Sequence, residues 1–325
     1  LKSAVALAAA AASRTLWADS KILHWVHWSD VHWGSLEDDS QAWHQALQAG
    51  LAKRPELVVF SGDHGDNGVG RGDFQDRTRG FWSTWKSQVP LILTLGNSDF
   101  RRNYQTDPEN LAETHQLYRH CLADYYLDEL GNGTRQVAGL KWVSLNSQIF
   151  SPRNQYQGAP QQARQSLEWL RSQLGPQTVL LLHIPPCIDL FSGQPAWRPQ
   201  YSLELFDLLK VQPPLAIISG HFHRNEVHEC NQVPLCVAGS LSRKYNYHPN
   251  WREWMWRWQE GSLVEASYTL HYCGQRDWQS GYSALPLSDF LDRVSKQGYM
   301  QDVFARQANA EDRWSEVRQQ FSVTR

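Results

Sequence analysis

The chain has 325 residues, with 31 Lys+Arg against 33 Asp+Glu and a formal net charge of −2. At 41% hydrophobic and 20% charged it can bury a real core, which excludes disorder as its overall state. The near-neutral balance without a Lys/Arg run excludes a protein working through a broad basic face, so no nucleic-acid-binding face is expected, and five cysteines are too few for a disulfide-built scaffold.

Ala4 to Ala12 is an apolar, Ala-rich run, too short to span a bilayer but suited to the apolar region of a secretory signal. Leu1-Lys2 is similar to the tail of a twin-arginine export motif. Residues 1–18 are therefore expected to be a signal-peptide remnant, with a mature chain starting near Asp19 in the periplasm or outside the cell. No later stretch predicts a transmembrane segment.

Five short aliphatic or β-branched runs then end in polar or Gly-containing elbows, as buried strands do. Ile22 to Trp28 ends at Ser29-Asp30-Val31-His32, and Leu57 to Phe60 at Ser61-Gly62-Asp63. Leu91 to Leu95 ends at Gly96-Asn97-Ser98-Asp99, Val179 to Leu182 at His183, and Leu215 to Ile218 at Ser219-Gly220-His221-Phe222-His223. Helical stretches lie between them: Asp39 to Lys53, Phe74 to Lys86, Glu109 to Cys121 and Gln161 to Leu174. This alternation predicts a layered α/β architecture with ligand groups gathered where strands end. After residue 224, Glu226–Cys230, Leu235–Ala238, Glu253–Trp258 and Leu263–Tyr272 read as antiparallel strands. Residues 277–325 show no buried strand-like run and predict a helical cover, with helices over Ser288–Val294 and Ala308–Phe321.

The strand ends deliver Asp30, His32, Asp63, Asn97, His183, His221 and His223. Carboxylate, carboxamide oxygen and imidazole together suit borderline divalent ions such as Mn, Fe or Zn. No Cys stands at any of these strand ends, which excludes a thiolate site there.

The blocks Asp30-Val31-His32, Gly62-Asp63, Gly96-Asn97, His183 and Gly220-His221-Phe222-His223 follow one another at 33, 34, 86 and 38 residues. In order and content the set resembles the calcineurin-like metallophosphoesterase superfamily, over roughly residues 22 to 240. The resemblance implies a four-layer αββα sandwich over residues 19–276, with 277–325 as the helical C-terminal extension. It implies a phosphatase or phosphodiesterase with two divalent metal ions, one on Asp30, His32, Asp63 and His223, the other on Asp63, Asn97, His183 and His221. Asp63 would bridge, and a hydroxide between the ions would attack phosphorus in a phosphate mono- or diester.

One position departs from the family. After Gly-Asn the family has His and then an acid; here Ser98 and Asp99 follow Asn97. Asn97, Ser98 and Asp99 are the candidates for catalysis at this elbow, although Ser98 cannot act as a general acid near neutral pH. Arg101 and Arg102 are candidate substrate contacts, because Arg offers a fixed fork to phosphate. Trp33 is a candidate for the pocket rim. Trp254, Trp256 and Trp258 alternate along one strand face, where packing between sheet and tail is expected. Cys230 and Cys236 flank a hairpin and are candidates for a disulfide. A non-catalytic metal-bearing binding protein, with Ser98 marking lost turnover, is the alternative reading.

Overall fold

The computed structural model describes residues 21–35, 39–66, 71–100, 105–186, 188–189, 194–230, 233–242, 249–259, 262–273 and 282–285. The Ala-rich N-terminal run, Arg101, Arg102 and both expected tail helices lie outside these residues.

Two six-stranded sheets face one another. In the first, β1 (Lys21–Trp28), β2 (Leu57–Phe60) and β3 (Leu91–Leu93) run parallel, and β12 (Asn250–Gln259), β13 (Ser262–Cys273) and β14 (Tyr282–Leu285) add antiparallel strands on the other side of β1. The second has the order β10 (Glu226–Cys230), β11 (Val233–Val237), β9 (Ala216–Ser219), β6 (Thr178–Leu182), β5 (Leu140–Leu145), β4 (Gly133–Val137), parallel at its centre and antiparallel at its two ends. A two-residue pair, β7 (Ile188–Asp189) with β8 (Gln194–Pro195), stands apart.

Side-chain alternation builds the layers. Val26 and Trp28 point outward from β1, where they pack with Val58, Phe60 and the helices α1 (Asp39–Ala52), α2 (Arg71–Ser83) and α3 (Pro108–Cys121) through Trp43, Phe81 and Tyr118. Leu23 and Trp25, on the opposite face of β1, meet Trp142, Val179 and Ile218 of the second sheet in the inter-sheet core. The far side of the second sheet is covered by α4 (Ala159–Gln173) and α5 (Pro199–Val211) through Leu167, Leu170, Leu205 and Leu209. The result is the expected αββα order. Helix α3 starts cleanly because Asp107 accepts from the Asn110 N–H at 3.0 Å and Pro108 stands in the first turn.

Three expectations need correction, and two elements are additional. The β4–β5 hairpin and α5 were not foreseen. Strand β14 pairs with β13 beyond residue 276, so the sheet continues into the segment expected to be helical. Trp254 and Trp256 pack between the two sheets, not against a tail: Trp254 stacks on Trp25 (5.3 Å, 7°) and Trp256 on Trp142 (6.2 Å, 11°). Cys230 and Cys236 are both free and lie in different cores; Cys230 pairs in register with Val233 and Cys236 with Val227, which puts the thiols on opposite sheet faces. No helix of the described residues is long and apolar enough to cross a membrane.

Candidate metal centre

The centre sits at the C-terminal ends of the parallel strands. Tight turns aim its side chains: Asp30, His32, Asp63, His221 and His223 all hold φ between 47° and 76°, a left-handed region that non-glycine residues adopt at a cost. Backbone bonds hold these turns, with Asp30 N donating to Gly62 O and His32 N to Asp63 O, both at 3.0 Å. Gly62 has φ 98°, and a Cβ there would lie 2.7 Å from His183 Nδ1. A Cβ on Gly220 would collide with Ser29 Oγ and press on Asp30 Oδ2 at 2.6 Å. These glycines are therefore set by close approach between neighbouring strand ends.

Two clusters emerge. The ligand atoms of Asp30, His32 and His223 lie within 4.8 Å of one another, as do those of Asp30, Asp63 and His183. Asp30 is common to both clusters. Asp63, of the second, places Oδ2 3.4 Å from His183 Nε2 and also 3.5 Å from His32 Nε2 of the first. His183 Nε2 is also 3.2 Å from Asn97 Oδ1. The His221 ring lies 5.1 Å from that of His183, centroid to centroid, and His221 N donates to Asp30 Oδ2 at 2.9 Å. All seven strand-end residues thus converge, His221 through ring proximity and outside both tight clusters.

Three observations fit divalent cations. Asp30 Oδ1 is fully buried and accepts no hydrogen bond, yet it faces His223 Nε2 at 3.3 Å and His32 and His183 Nε2 at 3.9 Å each. Two imidazole nitrogens, His32 Nε2 and His223 Nε2, stand 3.0 Å apart, a geometry that needs a proton or cation between them. His183 Nδ1 donates to the Ser61 carbonyl at 2.7 Å, which leaves Nε2 as the lone pair aimed at the centre.

The electrostatics follow. Burial alone would raise the Asp30 pKa, but His223 and His183 hold it far below the usual carboxylate range. Burial would lower that of His183, but Asp63 and Asp30 raise it to about 9. His221 is pushed down by desolvation and by the neighbouring His183. A site that concentrates carboxylates and imidazoles in this way is built for positive charge.

The elbow after β3 holds the candidates Asn97, Ser98 and Asp99. Ser98 N and Oγ both donate to Asp63. The Asp99 carboxylate turns away from the ligand cluster and accepts from the N–H groups of Asp63, His64, Gly65 and Gly96 at 2.8–3.2 Å, with His64 Nδ1 at 3.1 Å. Trp33 is half-buried, with its ring against those of His44 and Phe81.

Arg153 is a cation that the sequence did not single out. The turn Ser147–Phe150 is tied to the centre because Ser147 Oγ accepts from His183 N (3.1 Å) and Ile184 N (2.8 Å). Arg153 follows it, exposed, its N–H donating to Ser151 Oγ and its carbonyl accepting from Gln105 Nε2. Its charge contributes to the lowering at His221. Nothing in the local sequence separates this arginine from any solvated one.

A sequence model described as calcineurin-like phosphoesterase matches residues 23–225. A sphingomyelinase phosphodiesterase D of Dictyostelium discoideum is 22% identical over 269 residues, which are 72% of this chain and 61% of that protein. The chain therefore spans about three fifths of that relative's length. A "probable cyclic nucleotide phosphodiesterase" of Rhodococcus erythropolis is 26% identical over 231 residues, covering 66% of this chain and 69% of the other. In fold, the chain is similar to a dimetal phosphatase from Danio rerio, with TM-score 0.57 at 14% identity over 76% of this chain and 98% of that one. With more than half its length matched by the family model and the ligand blocks gathered at one set of strand ends, the chain belongs to the calcineurin-like phosphoesterases.

Proposed function

We propose that the protein is a two-metal hydrolase of phosphate esters. The observation that carries this reading is the position of Asp63 Oδ2, at 3.4–3.5 Å from an imidazole of each cluster. One ion would be held by Asp30, His32, Asp63 and His223, the other by Asp63, Asn97, His183 and His221. Bound there, divalent ions such as Mn, Fe or Zn would activate water and offset the charge that develops on the phosphoryl oxygens.

The chain's own residues do the rest. Asp30 and Asp63 bring two buried negative charges. Ser61 and Ser98 orient His183 and Asp63 by hydrogen bonds, so the ligands need not reorganise during turnover. Arg153 stands outside the ligands as a cation for the non-bridging oxygens, a part the sequence suggested for Arg101 and Arg102. Both relatives are named as phosphodiesterases, which supports a diester as the first substrate to test. Export, with residues 1–18 removed, belongs to the same proposal and rests on the Ala4–Ala12 run.

The test is a panel of nitrophenyl mono- and diesters on metal-stripped and Mn-reconstituted protein. Hydrolysis that appears on reconstitution supports the reading. Two bound ions with no hydrolysis of any ester would favour a metal-bearing binding protein.

A further inference from the structure

Arg252 lies near the start of β12 with no exposed surface, opposite His27 of β1. Among the described residues no carboxylate stands within ion-pair distance of it. A buried guanidinium without a counter-ion carries an uncompensated desolvation penalty, so its retention calls for a use of its geometry.

The geometry is specific. Arg252 Nε donates to Asn225 Oδ1 at 3.0 Å and Nη2 to the Glu226 carbonyl at 3.3 Å, while Nη1 has no hydrogen-bond partner. The Tyr268 ring centroid lies 4.7 Å from the guanidinium carbon. Asn225 is buried two residues after His223. Its Oδ1 also accepts from Gly239 N at 3.2 Å, and its Nδ2 donates to Asn250 Oδ1. With two donors on the oxygen and one acceptor on the nitrogen, the carboxamide has a single satisfied orientation. Asn250 N in turn donates to the Ser240 carbonyl at 2.9 Å, and Ser240 Oγ to the Asp30 carbonyl at 2.7 Å. One branch from Arg252 thus runs along the chain to His223, and the other runs through Asn250 and Ser240 to Asp30. Both ends hold left-handed backbone that needs outside support, φ 58° at His223 and 51° at Asp30.

We infer that Arg252 is a positioning residue: acting through Asn225, it fixes the His223 and Asp30 segments in the geometry that ligates a divalent cation. This rests on the metal-centre reading proposed above.

The experiment uses the full chain, with Mn²⁺ binding followed by calorimetry and electron paramagnetic resonance in wild type, Arg252→Met and Asn225→Ala. Arg252→Met removes an uncompensated buried charge at similar length, so the melting temperature without metal should hold or rise. Mn²⁺ affinity should fall about tenfold, and the spin-coupled spectrum of paired ions should give way to that of isolated ones. Asn225→Ala should show the same affinity loss with Arg252 in place, and it decides the matter if Arg252→Met does not fold. Wild-type affinity and a coupled spectrum in the folded variants would overturn the inference alone. A wild type that binds no Mn²⁺ would overturn the metal-centre reading and this inference with it.

Discussion

Ser98 grips both oxygens of Asp63: its backbone N–H donates to Oδ1 at 2.6 Å and its hydroxyl to Oδ2 at 3.1 Å. The residue standing where family members carry His is therefore bonded to the carboxylate that faces an imidazole of each cluster. Neither it nor Asp99, whose oxygens face the backbone of residues 63–65 and 96, is placed to hand a proton to a departing group.

Leaving-group chemistry should reflect this. The rate should depend steeply on leaving-group pKa, because nitrophenolate departs unprotonated and an alkoxide does not. Ser98→His should flatten that dependence and favour alkyl esters by about 100-fold if general-acid help is restored. A leaving-group series on both proteins with the same metal loaded is the measurement. A shallow wild-type dependence would mean that another group already supplies the proton.

Asp99 has a structural task of its own. Burial would raise its pKa, but His64 and the surrounding N–H donors hold it below the usual value. A depressed carboxylate contributes stability that is complete above its unfolded pKa and lost as pH falls through the lower folded value. Asp99→Asn turns one acceptor oxygen into a donor facing N–H groups and should cost about 3 kcal/mol, checked by denaturant unfolding near neutral pH.

His115 should sense acid. It is buried, with Nδ1 2.7 Å from the Tyr125 hydroxyl, and burial lowers its pKa to about 4. The unfolded chain therefore takes up this proton first, and stability falls as the pH drops from about 6.5 towards 4. At pH 5 the loss from this one group is about 2 kcal/mol. Unfolding at pH 7.5 and 5.0 should show a smaller pH effect in His115→Asn than in wild type. An equal effect in the two proteins would remove His115 from the account.

Arg153→Ala should raise KM for phosphate esters about tenfold or more and weaken competitive inhibition by inorganic phosphate, with metal content unchanged. An unchanged KM would return the substrate contact to other residues.

The convergence of the candidate residues was legible because each follows a run that reads as a buried strand, and α/β topology gathers such ends. The β4–β5 hairpin was not, because Gly133–Val137 is a short polar edge strand and its turn rests on Ala138 and Gly139, both with positive φ. Cys230 and Cys236 were candidates for pairing in sequence, yet register decides which face a strand residue takes. Trp254 and Trp256 showed their alternation but not their partners, which come from β1 and β5. Arg153 and Arg252 acquire meaning only from tertiary neighbours.

The central claim is that one carboxylate serves two ions. Asp63→Asn removes one charge shared by both, so metal per chain should fall from two towards zero or one, and turnover should drop about 100-fold or more while the circular dichroism spectrum stays that of the wild type. Elemental analysis and turnover on the same purified variant make the measurement. Two retained ions with wild-type turnover would contradict the account.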